Sequence, residues 1–220
     1  MPDDPLPPDS KLTRSKERWA EQGRFLTGRA ARPEKERLPP GQHLVRDWPV
    51  LDLGVQPRVA TDAWRLRVWG LVRHPFTWDW ATFRAQEQRH ERTDMHCVTT
   101  WSRFDNAWDG VSTRTVLGAA APLDEAAFVV LHGYDNYTTN LPLADFAAPD
   151  ALLVHSWEGK PLAPEHGGPV RLLVPHLYLW KSAKWLKGIE FRAADQRGFW
   201  EERGYHDRGD PWQEQRYSED

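Results

Sequence analysis

The residue with the widest chemical range in this chain is its single cysteine, Cys97, in the stretch TDMHCVTTWSRFDNAWDGV. A buried cysteine often packs as a small hydrophobic residue, whereas a thiolate is a nucleophile and a soft metal ligand. The paired short spacings of structural zinc sites are absent. On a strand, His96 would point to the opposite face from Cys97. Residue chemistry alone leaves open a nucleophile assisted by another histidine, such as His132, and a ligand to a redox metal carried by an organic cofactor.

A second stretch with chemical potential is EHGGPVRLLVPHLYLWKSAKW, residues 165–185. Its Gly-Gly pair lets the backbone approach a ligand closely. Arg171 follows at the start of an apolar strand and, if buried, needs an anionic partner. Lys181 and Lys184 flank the hydroxyl of Ser182, an arrangement that predicts a phosphate pocket. The alternative for this stretch is a solvated basic loop.

A third stretch, LHGYDNYTTNLPL, places a polar cluster directly after a predicted buried strand. It begins with His132 and continues through Asp135 to Asn140. Loops at strand ends often carry function. Taken alone, however, the cluster is explained by ordinary turn chemistry.

The elements that must position these stretches are predicted to be mostly strands. Trp64, Leu66 and Val68 alternate with arginines, which is the period of a half-buried strand. The runs AAFVVLH, ALLVHSW and PVRLLVP predict further strands, EGK a hairpin turn, and WLKGIEFRA a strand that closes the sheet. TWDWATFRA predicts a turn into a helix, and Ser112 predicts a helix cap before a helix over residues 113–119. The fold class is therefore α+β, a single mixed domain of many short strands and a few small helices.

The two ends of the chain differ in composition. Residues 1–30 predict a polar N-terminal arm, with a short helix over residues 11–25, and residues 31–220 form the predicted domain. The last 26 residues are polar but carry five aromatic residues, so we expect them to pack along the body of the domain. RTDMHCVTTW predicts a strand that runs into a loop.

Composition excludes several classes of protein. A net charge of −3 argues against broad nucleic-acid binding, which needs a basic surface. No run of eighteen apolar residues is present, so we expect no membrane span. The acidic, proline-rich start MPDDPLPPDSK does not read as an export leader, and one cysteine forms no internal disulfide, so we expect a cytoplasmic protein.

Taken in order, the motifs resemble the sulfite oxidase family of molybdenum enzymes. The matching text is HCVTTWSRFDNAWDGVS, YDNYTTNLPL, EHGGPVRLLVPHLYLWKSAKWLKGIEF and GFWEERGYHDRGDPW. The similarity is greatest to small bacterial sulfite oxidase-like oxidoreductases, which are related to the catalytic subunit of bacterial methionine sulfoxide reductase. The resemblance implies the sulfite oxidase molybdopterin-binding fold. It also implies a cofactor in which the dithiolene of molybdopterin holds molybdenum.

The resemblance also assigns roles to residues of this chain. It implies that Cys97 is the protein ligand to molybdenum and that Arg171 grips the pterin phosphate. The rest of the implied cofactor site comprises Gln42, His43, His132, His166, Ser182, Ala183 and Lys184. We expect Arg103, and also Lys181, to face an anionic substrate.

The chain departs from true sulfite oxidases after its cysteine, where VTTWSRFD replaces a run of the AGNRR type. We therefore expect neither sulfite nor protein-bound methionine sulfoxide to be the substrate. We expect oxygen-atom or coupled electron–proton transfer on a small or sulfoxide-type substrate. A separate electron carrier is also expected, because we expect no haem domain. The alternatives are a hydrolase using Cys97 and His132, and a non-catalytic ligand-binding module.

Overall fold

The structure, a computed structural model, describes residues 34–220. The helix α1 (Glu34–Arg37) precedes a compact unit, Leu38–Asp220. The unit contains eleven strands: β1 (His43–Leu44), β2 (Arg65–Gly70), β3 (Phe76–Asp79), β4 (Gln88–His96), β5 (Trp101–Ser112), β6 (Phe128–Gly133), β7 (Thr138–Pro142), β8 (Leu152–Trp157), β9 (Lys160–Pro161), β10 (Arg171–Leu173) and β11 (Leu186–Arg192). Its helices are α2 (Trp80–Arg84), α3 (Thr113–Ala120) and α4 (Leu143–Phe146), with four single 3₁₀ turns at Pro164–His166, Leu179–Lys181, Glu201–Arg203 and Pro211–Gln213.

The first sheet has six strands and is organised around β5. Strand β5 pairs antiparallel with β4 and β8 and parallel with β1, and β8 continues the sheet to β10 and β9. A four-residue turn, 97–100, connects β4 to β5 and carries the cysteine. The longest hairpin of the fold therefore presents Cys97 at its tip.

The second sheet has five strands in the order β3-β2-β11-β6-β7. Strand β11 lies in the middle of this sheet, parallel to β2 and antiparallel to β6. The expectation that WLKGIEFRA closes a sheet at its edge is therefore wrong. None of the residues of β11 is exposed, which agrees with its central place in the sheet.

A large apolar cluster joins the two sheets. It contains Leu66, Leu131 and Ile189 from the second sheet together with Leu153 and Leu172 from the first. Successive side chains of a strand point to opposite faces. The alternate residues of β8 and β10 accordingly enter a second cluster, which contains Trp108 and Cys97. The cysteine thus lies on the face of the first sheet that points away from the second.

Several predicted elements are present. The Ser112 hydroxyl accepts a hydrogen bond from the Arg114 amide, 3.2 Å, and caps α3 as predicted. The expected turn into a helix is strand β3 followed by α2, and the predicted hairpin turn joins β8 to β9. The polar C-terminal stretch packs on the domain: its Phe199 amide donates to Thr138 O, and its Gly209 carbonyl accepts from the Tyr178 amide, both at 2.9 Å. The α+β fold class is confirmed.

Two expectations lie outside the described residues: the N-terminal arm over residues 1–30 and its helix over residues 11–25. The boundary between arm and domain stays a prediction. Within residues 34–220, no helix has the length and apolar character needed to cross a membrane.

Candidate functional site

The turn that carries Cys97 is held by bonds from three directions. The Cys97 amide donates to Trp101 O, 2.8 Å, and the Thr100 amide donates back to Cys97 O, 3.1 Å. Gln42 Nε2 also donates to Cys97 O, 3.2 Å. Thr100 adopts φ +72°, a left-handed conformation that lets the short turn close. The backbone around the sulfur is therefore fixed before any ligand binds.

The sulfur itself is buried and unactivated. Cys97 is 6% exposed, and its Sγ lies 3.1 Å from Thr99 Oγ1. Burial raises the pKa of the thiol, and the Thr99 contacts and the charge of Arg216 offset only part of this effect. A catalytic nucleophile needs a lowered pKa. A metal ion, in contrast, deprotonates a coordinated thiol directly.

Arg171 begins β10 and is 2% exposed. Its guanidinium donates to the carbonyl oxygens of His166 (3.0 Å), Ser182 (2.8 Å) and its neighbour Leu172 (3.3 Å). Within residues 34–220, no carboxylate forms an ion pair with it. Burial lowers its pKa to about 10. A buried cation with only neutral acceptors leaves a net positive charge in the site, and an anionic ligand would balance it.

Lys184 adds a second cation to the same region. Its Nζ donates to Leu51 O and Glu165 O, both at 2.7 Å. Burial, and then the nearby charge of Arg171, lowers its pKa to about 8. Gly167 makes room for this side chain: at φ +101°, a Cβ on Gly167 would lie 2.8 Å from Lys184 Cβ. Gly167 is thus required by its positive φ and by the close approach of the backbone at Lys184.

One cavity of about 370 Å³ joins the sulfur to these cations. Cys97, Arg171, Ser182 and Lys184 all line it. The remaining lining includes two carboxylates, Asp52 and Asp135, and seven aromatic residues, Trp48, Trp101, Tyr137, Trp180, Trp185, Trp200 and Tyr205. We refer to this cavity as the cleft. Its combination of a soft sulfur donor, two cations and flat aromatic walls suits a planar organic cofactor with an anionic end and a soft metal.

Two buried donors or acceptors beside the cleft lack partners within the described residues: Trp101 Nε1 and His166 Nδ1. Buried polar atoms are normally hydrogen-bonded, so such atoms point to a missing ligand. Trp101 lines the cleft, and the His166 ring stacks on Trp48 with centroids 3.8 Å apart. The residues present therefore fit the molybdopterin cofactor that the sequence implies.

Lys181 has a different environment from that predicted. It is fully buried, and its Nζ bonds Glu201 Oε1 at 2.6 Å, Asn140 O at 2.8 Å and Asn140 Oδ1 at 2.9 Å. Thr139 Oγ1 and Trp180 Nε1 also donate to the same Glu201 oxygen. The expectation that Lys181 faces an anionic substrate is therefore wrong. Its ion pair anchors the C-terminal stretch beside the cleft.

Other predicted residues lie around the cleft rather than in its lining. Gln42 supports the cysteine turn, and His43 pairs with Trp101 in β1. Ala183 is buried in the main apolar cluster, where its carbonyl accepts from the Leu172 amide. His166 contributes its carbonyl to Arg171. These placements agree with supporting roles, and direct cofactor contact by these residues stays a prediction.

Two predicted residues point elsewhere. Arg103 contacts Asn106, donates to Arg46 O at 3.0 Å, and lies 3.5 Å from Glu158 and over the Trp157 ring. It is absent from the cleft lining, so its catalytic role stays a prediction that this geometry does not favour.

His132 Nε2 lies 3.4 Å from Glu190 Oε2, and its ring packs against Trp69. It does not line the cleft with Cys97. The Cys97 and His132 side chains are therefore not brought together as a nucleophile and its base.

The sequence motifs assign no individual cofactor role to several residues of the cleft wall. Tyr137 and Asp135 come from the third stretch, which ordinary turn chemistry explains when the stretch is taken alone, and both line the cleft. Trp180, Trp200 and Tyr205 reach it from the 3₁₀ turn after β10 and from the C-terminal stretch. The signal was the density of aromatic residues in an otherwise polar tail.

Among residues 34–220, no group of three or more His, Cys, Asp or Glu is arranged to hold a metal ion.

The chain matches a family model and a curated relative. The family model described as the oxidoreductase molybdopterin binding domain matches residues 53–200. An uncharacterized oxidoreductase, YuiH, from Bacillus subtilis (strain 168) is 47% identical over 185 residues, which cover 84% of this chain and 93% of that protein.

Two further matches are more distant. A putative protein-methionine-sulfoxide reductase subunit, YedZ1, from Azospira oryzae is 28% identical over 148 residues; the match covers 67% of this chain and 56% of that protein. The crystal structure of the sulfane dehydrogenase SoxCD from Paracoccus pantotrophus superposes with a TM-score of 0.59 at 16% identity, covering 77% of this chain and 54% of that one. The latter likeness shows a shared fold.

The family model covers more than half of the chain, and its extent includes the cysteine turn, the arginine strand and the lysine that meet in the cleft. The chain therefore belongs to the oxidoreductase molybdopterin-binding domain family, and it is an oxidoreductase whose cofactor is molybdenum held by molybdopterin.

Proposed function

We propose that the cleft holds the molybdenum cofactor with Cys97 as the protein ligand and Arg171, Ser182 and Lys184 around its anionic end. The observation that carries this assignment is that one cavity contains the only sulfhydryl of the chain and two cations that lack carboxylate contacts among the described residues. When bound, the cofactor supplies a metal that exchanges two electrons with substrate.

The residues of this chain then have separable tasks. Gln42 and the 97–100 turn fix the position of the sulfur. Arg171 and Lys184 balance negative charge. Asp135, which burial gives a raised pKa, offers an acceptor to ring N–H groups of a pterin. The aromatic walls exclude water and leave a dry surface for a small substrate.

We infer that the reaction is two-electron reduction of a small sulfoxide-type substrate. The substrate gains two electrons and two protons, and it yields a thioether and water. A curated relative is described as a putative protein-methionine-sulfoxide reductase subunit, which supports this substrate class. The thioether sulfur of the product packs favourably against aromatic rings such as those of Trp101 and Tyr205. The electrons come from a separate carrier protein, and the proposed location is the cytoplasm.

Metal content tests the cofactor assignment. The chain is purified from a host that makes molybdopterin, and molybdenum and the fluorescent pterin oxidation product are measured. Cys97→Ser should lose the visible thiolate-to-metal absorption while its circular dichroism is unchanged. Thr99→Val, which removes the hydroxyl contact but keeps the thiol, is the matched control and should retain the absorption. Absence of molybdenum and pterin from an active wild-type chain would refute the assignment.

Substrate class is tested with reduced viologen as the electron donor. Dimethyl sulfoxide and free methionine sulfoxide should be reduced by the loaded wild-type chain and not by Cys97→Ser. Turnover of neither sulfoxide by a chain with full molybdenum content would overturn the substrate proposal and leave the cofactor assignment intact. Cell fractionation with immunodetection tests the location.

A further inference from the structure

A second cavity, larger than the cleft, lies beside β8 and α2. We call it the β8 groove; its volume is about 750 Å³. Its polar lining comprises Arg58, Thr61, Arg84, Asp109, His155 and Ser156. This volume is within the range of small-molecule sites in proteins. None of these residues belongs to the lining of the cleft.

Two cations of the β8 groove have no carboxylate in contact within residues 34–220. Arg84 Nη1 contacts both nitrogens of the His155 ring and approaches Gln88 Oε1 at 3.5 Å, and the guanidinium lies over the Trp80 ring. All these partners are neutral, because burial and then the charge of Arg84 lower the pKa of His155 to about 4. Arg58 is exposed at the rim. The charge of both arginines is therefore available to a ligand.

The single acidic residue in this lining is already engaged. Asp109 Oδ2 accepts from Ser156 Oγ at 2.7 Å, and its Oδ1 lies 2.5 Å from His90 Nδ1. Burial alone would raise the pKa of Asp109, but these hydrogen bonds outweigh burial and lower it. Asp109 consequently organises Ser156, and its single negative charge is outnumbered by the two arginines of the lining.

The remaining lining is apolar. Val59, Pro161, Leu162 and Pro169 provide hydrocarbon surface, and Trp80 provides part of an indole face. Rigid proline and indole surfaces suit a flat organic body and lose little conformational entropy on binding. The groove therefore combines anion recognition at one set of residues with an apolar wall at another.

We propose that the β8 groove is a second binding site, for a small organic anion whose carboxylate or phosphate is bound by Arg58 and Arg84 and whose flat apolar body packs on Trp80 and the proline wall. The site is separate from the cofactor cleft, although the segment between Leu162 and Arg171 forms a wall of both. Leu162 and Pro169 face the groove, whereas Arg171 faces the cleft.

Calorimetric titration of the cofactor-loaded chain tests the proposal, with phenyl phosphate, benzoate and phenol as probes. Phenyl phosphate or benzoate should bind saturably, and phenol, which lacks the charge, should bind at least about tenfold more weakly. The stronger of the two anions identifies the head group. Equal affinity for phenol, or no saturable heat from either anion at about 10 mM, would overturn the proposal.

Variants locate the site. Arg58→Gln should weaken anion binding about three- to tenfold, and Arg84→Gln about tenfold or more, because each removes a charge-assisted contact. Arg58 is exposed at the rim, so its substitution should leave folding unchanged and keep the test informative if Arg84→Gln fails to fold. Arg67→Gln is the matched control: Arg67 also lies over a tryptophan, Trp69, but outside the groove. Unchanged affinity in Arg58→Gln would count against the site.

The titration is independent of the cofactor assignment. If the purified chain contains no molybdenum, the same probes are titrated into the cofactor-free chain with the Arg171→Met variant included. Binding lost only in Arg171→Met would place the anion in the cleft and overturn the groove proposal. Binding lost only in Arg58→Gln and Arg84→Gln would support it.

Discussion

Two buried cations near the cleft have opposite surroundings. Lys181 is fully buried and bonds the Glu201 carboxylate and two Asn140 oxygens. Arg171, ten residues earlier, is also buried but bonds only backbone carbonyls. The first charge is balanced by a carboxylate, and the second lacks a carboxylate contact within residues 34–220. The difference indicates that Lys181 serves the fold and Arg171 serves a ligand.

The largest expected effect concerns the balanced charge. Lys181→Met leaves the buried Glu201 carboxylate without its cation and should lower the free energy of unfolding by about 3–5 kcal/mol. Urea unfolding of the cofactor-free chain measures it. The double variant Lys181→Met/Glu201→Gln removes both charges and should recover part of the loss. A destabilisation below about 1 kcal/mol in the single variant would contradict the structural role.

Arg171→Met tests the charge that lacks a carboxylate. Binding of the cofactor should weaken by about 1.5–3 kcal/mol, the loss of hydrogen bonds from a charged donor, or roughly tenfold to a hundredfold. The stability of the cofactor-free chain should change less than in Lys181→Met, because the variant also removes an unbalanced buried charge. Molybdenum and pterin content after purification report the binding.

Two controls accompany that variant. Arg114→Met removes an exposed arginine that likewise bonds a carbonyl, that of Ala147, and should leave cofactor content unchanged. Arg171→Lys keeps the charge without the planar fork and should retain more cofactor than Arg171→Met. If Arg171→Met contained as much molybdenum and pterin as wild type, Arg171 would not bind the cofactor, and the contrast with Lys181 would be wrong.

Ser182 lies next to Lys181 in the chain, but it contacts Arg171. Its carbonyl accepts from Arg171, and its hydroxyl accepts from the Val174 amide at 3.0 Å. Ser182→Ala should cost about 1 kcal/mol of stability, because the buried amide loses its acceptor. It should reduce cofactor content less than Arg171→Met does. Ser218→Ala, at an exposed serine, is the control, and an equal effect of the two serine variants would exclude this role.

The smallest expected effect is a pH dependence from Lys184. Its pKa is lowered from 10.5 to about 8 by burial and the charge of Arg171. Between about pH 8 and 10 the unfolded chain therefore binds more protons at this lysine than the folded chain does. Its contribution to stability should rise with pH across that window, since the penalty of burying the ammonium is full below the folded pKa and falls away as the pH approaches the unfolded value of 10.5.

The measurement is the difference between wild type and Lys184→Met in urea midpoint at pH 7 and pH 9.5, without cofactor. Titration of tyrosines and of Cys97 affects both proteins and cancels in the difference. Wild type should gain stability relative to the variant as the pH rises. A difference that is constant with pH would show that the lysine is not desolvated in this way.

Local sequence patterns predicted the elements whose signals are local. Trp64, Leu66 and Val68 alternate and are all buried, the first just before β2 and the other two on its buried side, and Ser112 caps α3. The sequence does not predict strand β5, which has twelve residues, because its polar and aromatic residues do not alternate as in a half-buried strand. Its pairing with β1, β4 and β8 is a tertiary property that local sequence does not encode. The central place of β11 also depends on pairing that no local pattern encodes.

The candidate site shows the same division. Cys97, Arg171, Ser182 and Lys184 were singled out by residue type and resemblance, and the fold brings them to one cleft. The sequence does not predict the ion-pair partner of Lys181, because Glu201 lies in a polar C-terminal stretch whose composition is typical of a protein surface. Pairing of a buried cation with a carboxylate twenty residues away is a tertiary property, and it decides which of two similar cations is available.

The cleft wall contains Trp48, Trp101, Trp180, Trp185 and Trp200, five of the thirteen tryptophans of the chain. A light-absorbing molecule bound in the cleft accepts excitation energy from these five indoles. Binding of such a molecule should therefore lower the tryptophan fluorescence of the protein. Tryptophan fluorescence therefore reports how much of the protein has its cleft occupied, without an added dye and without turnover.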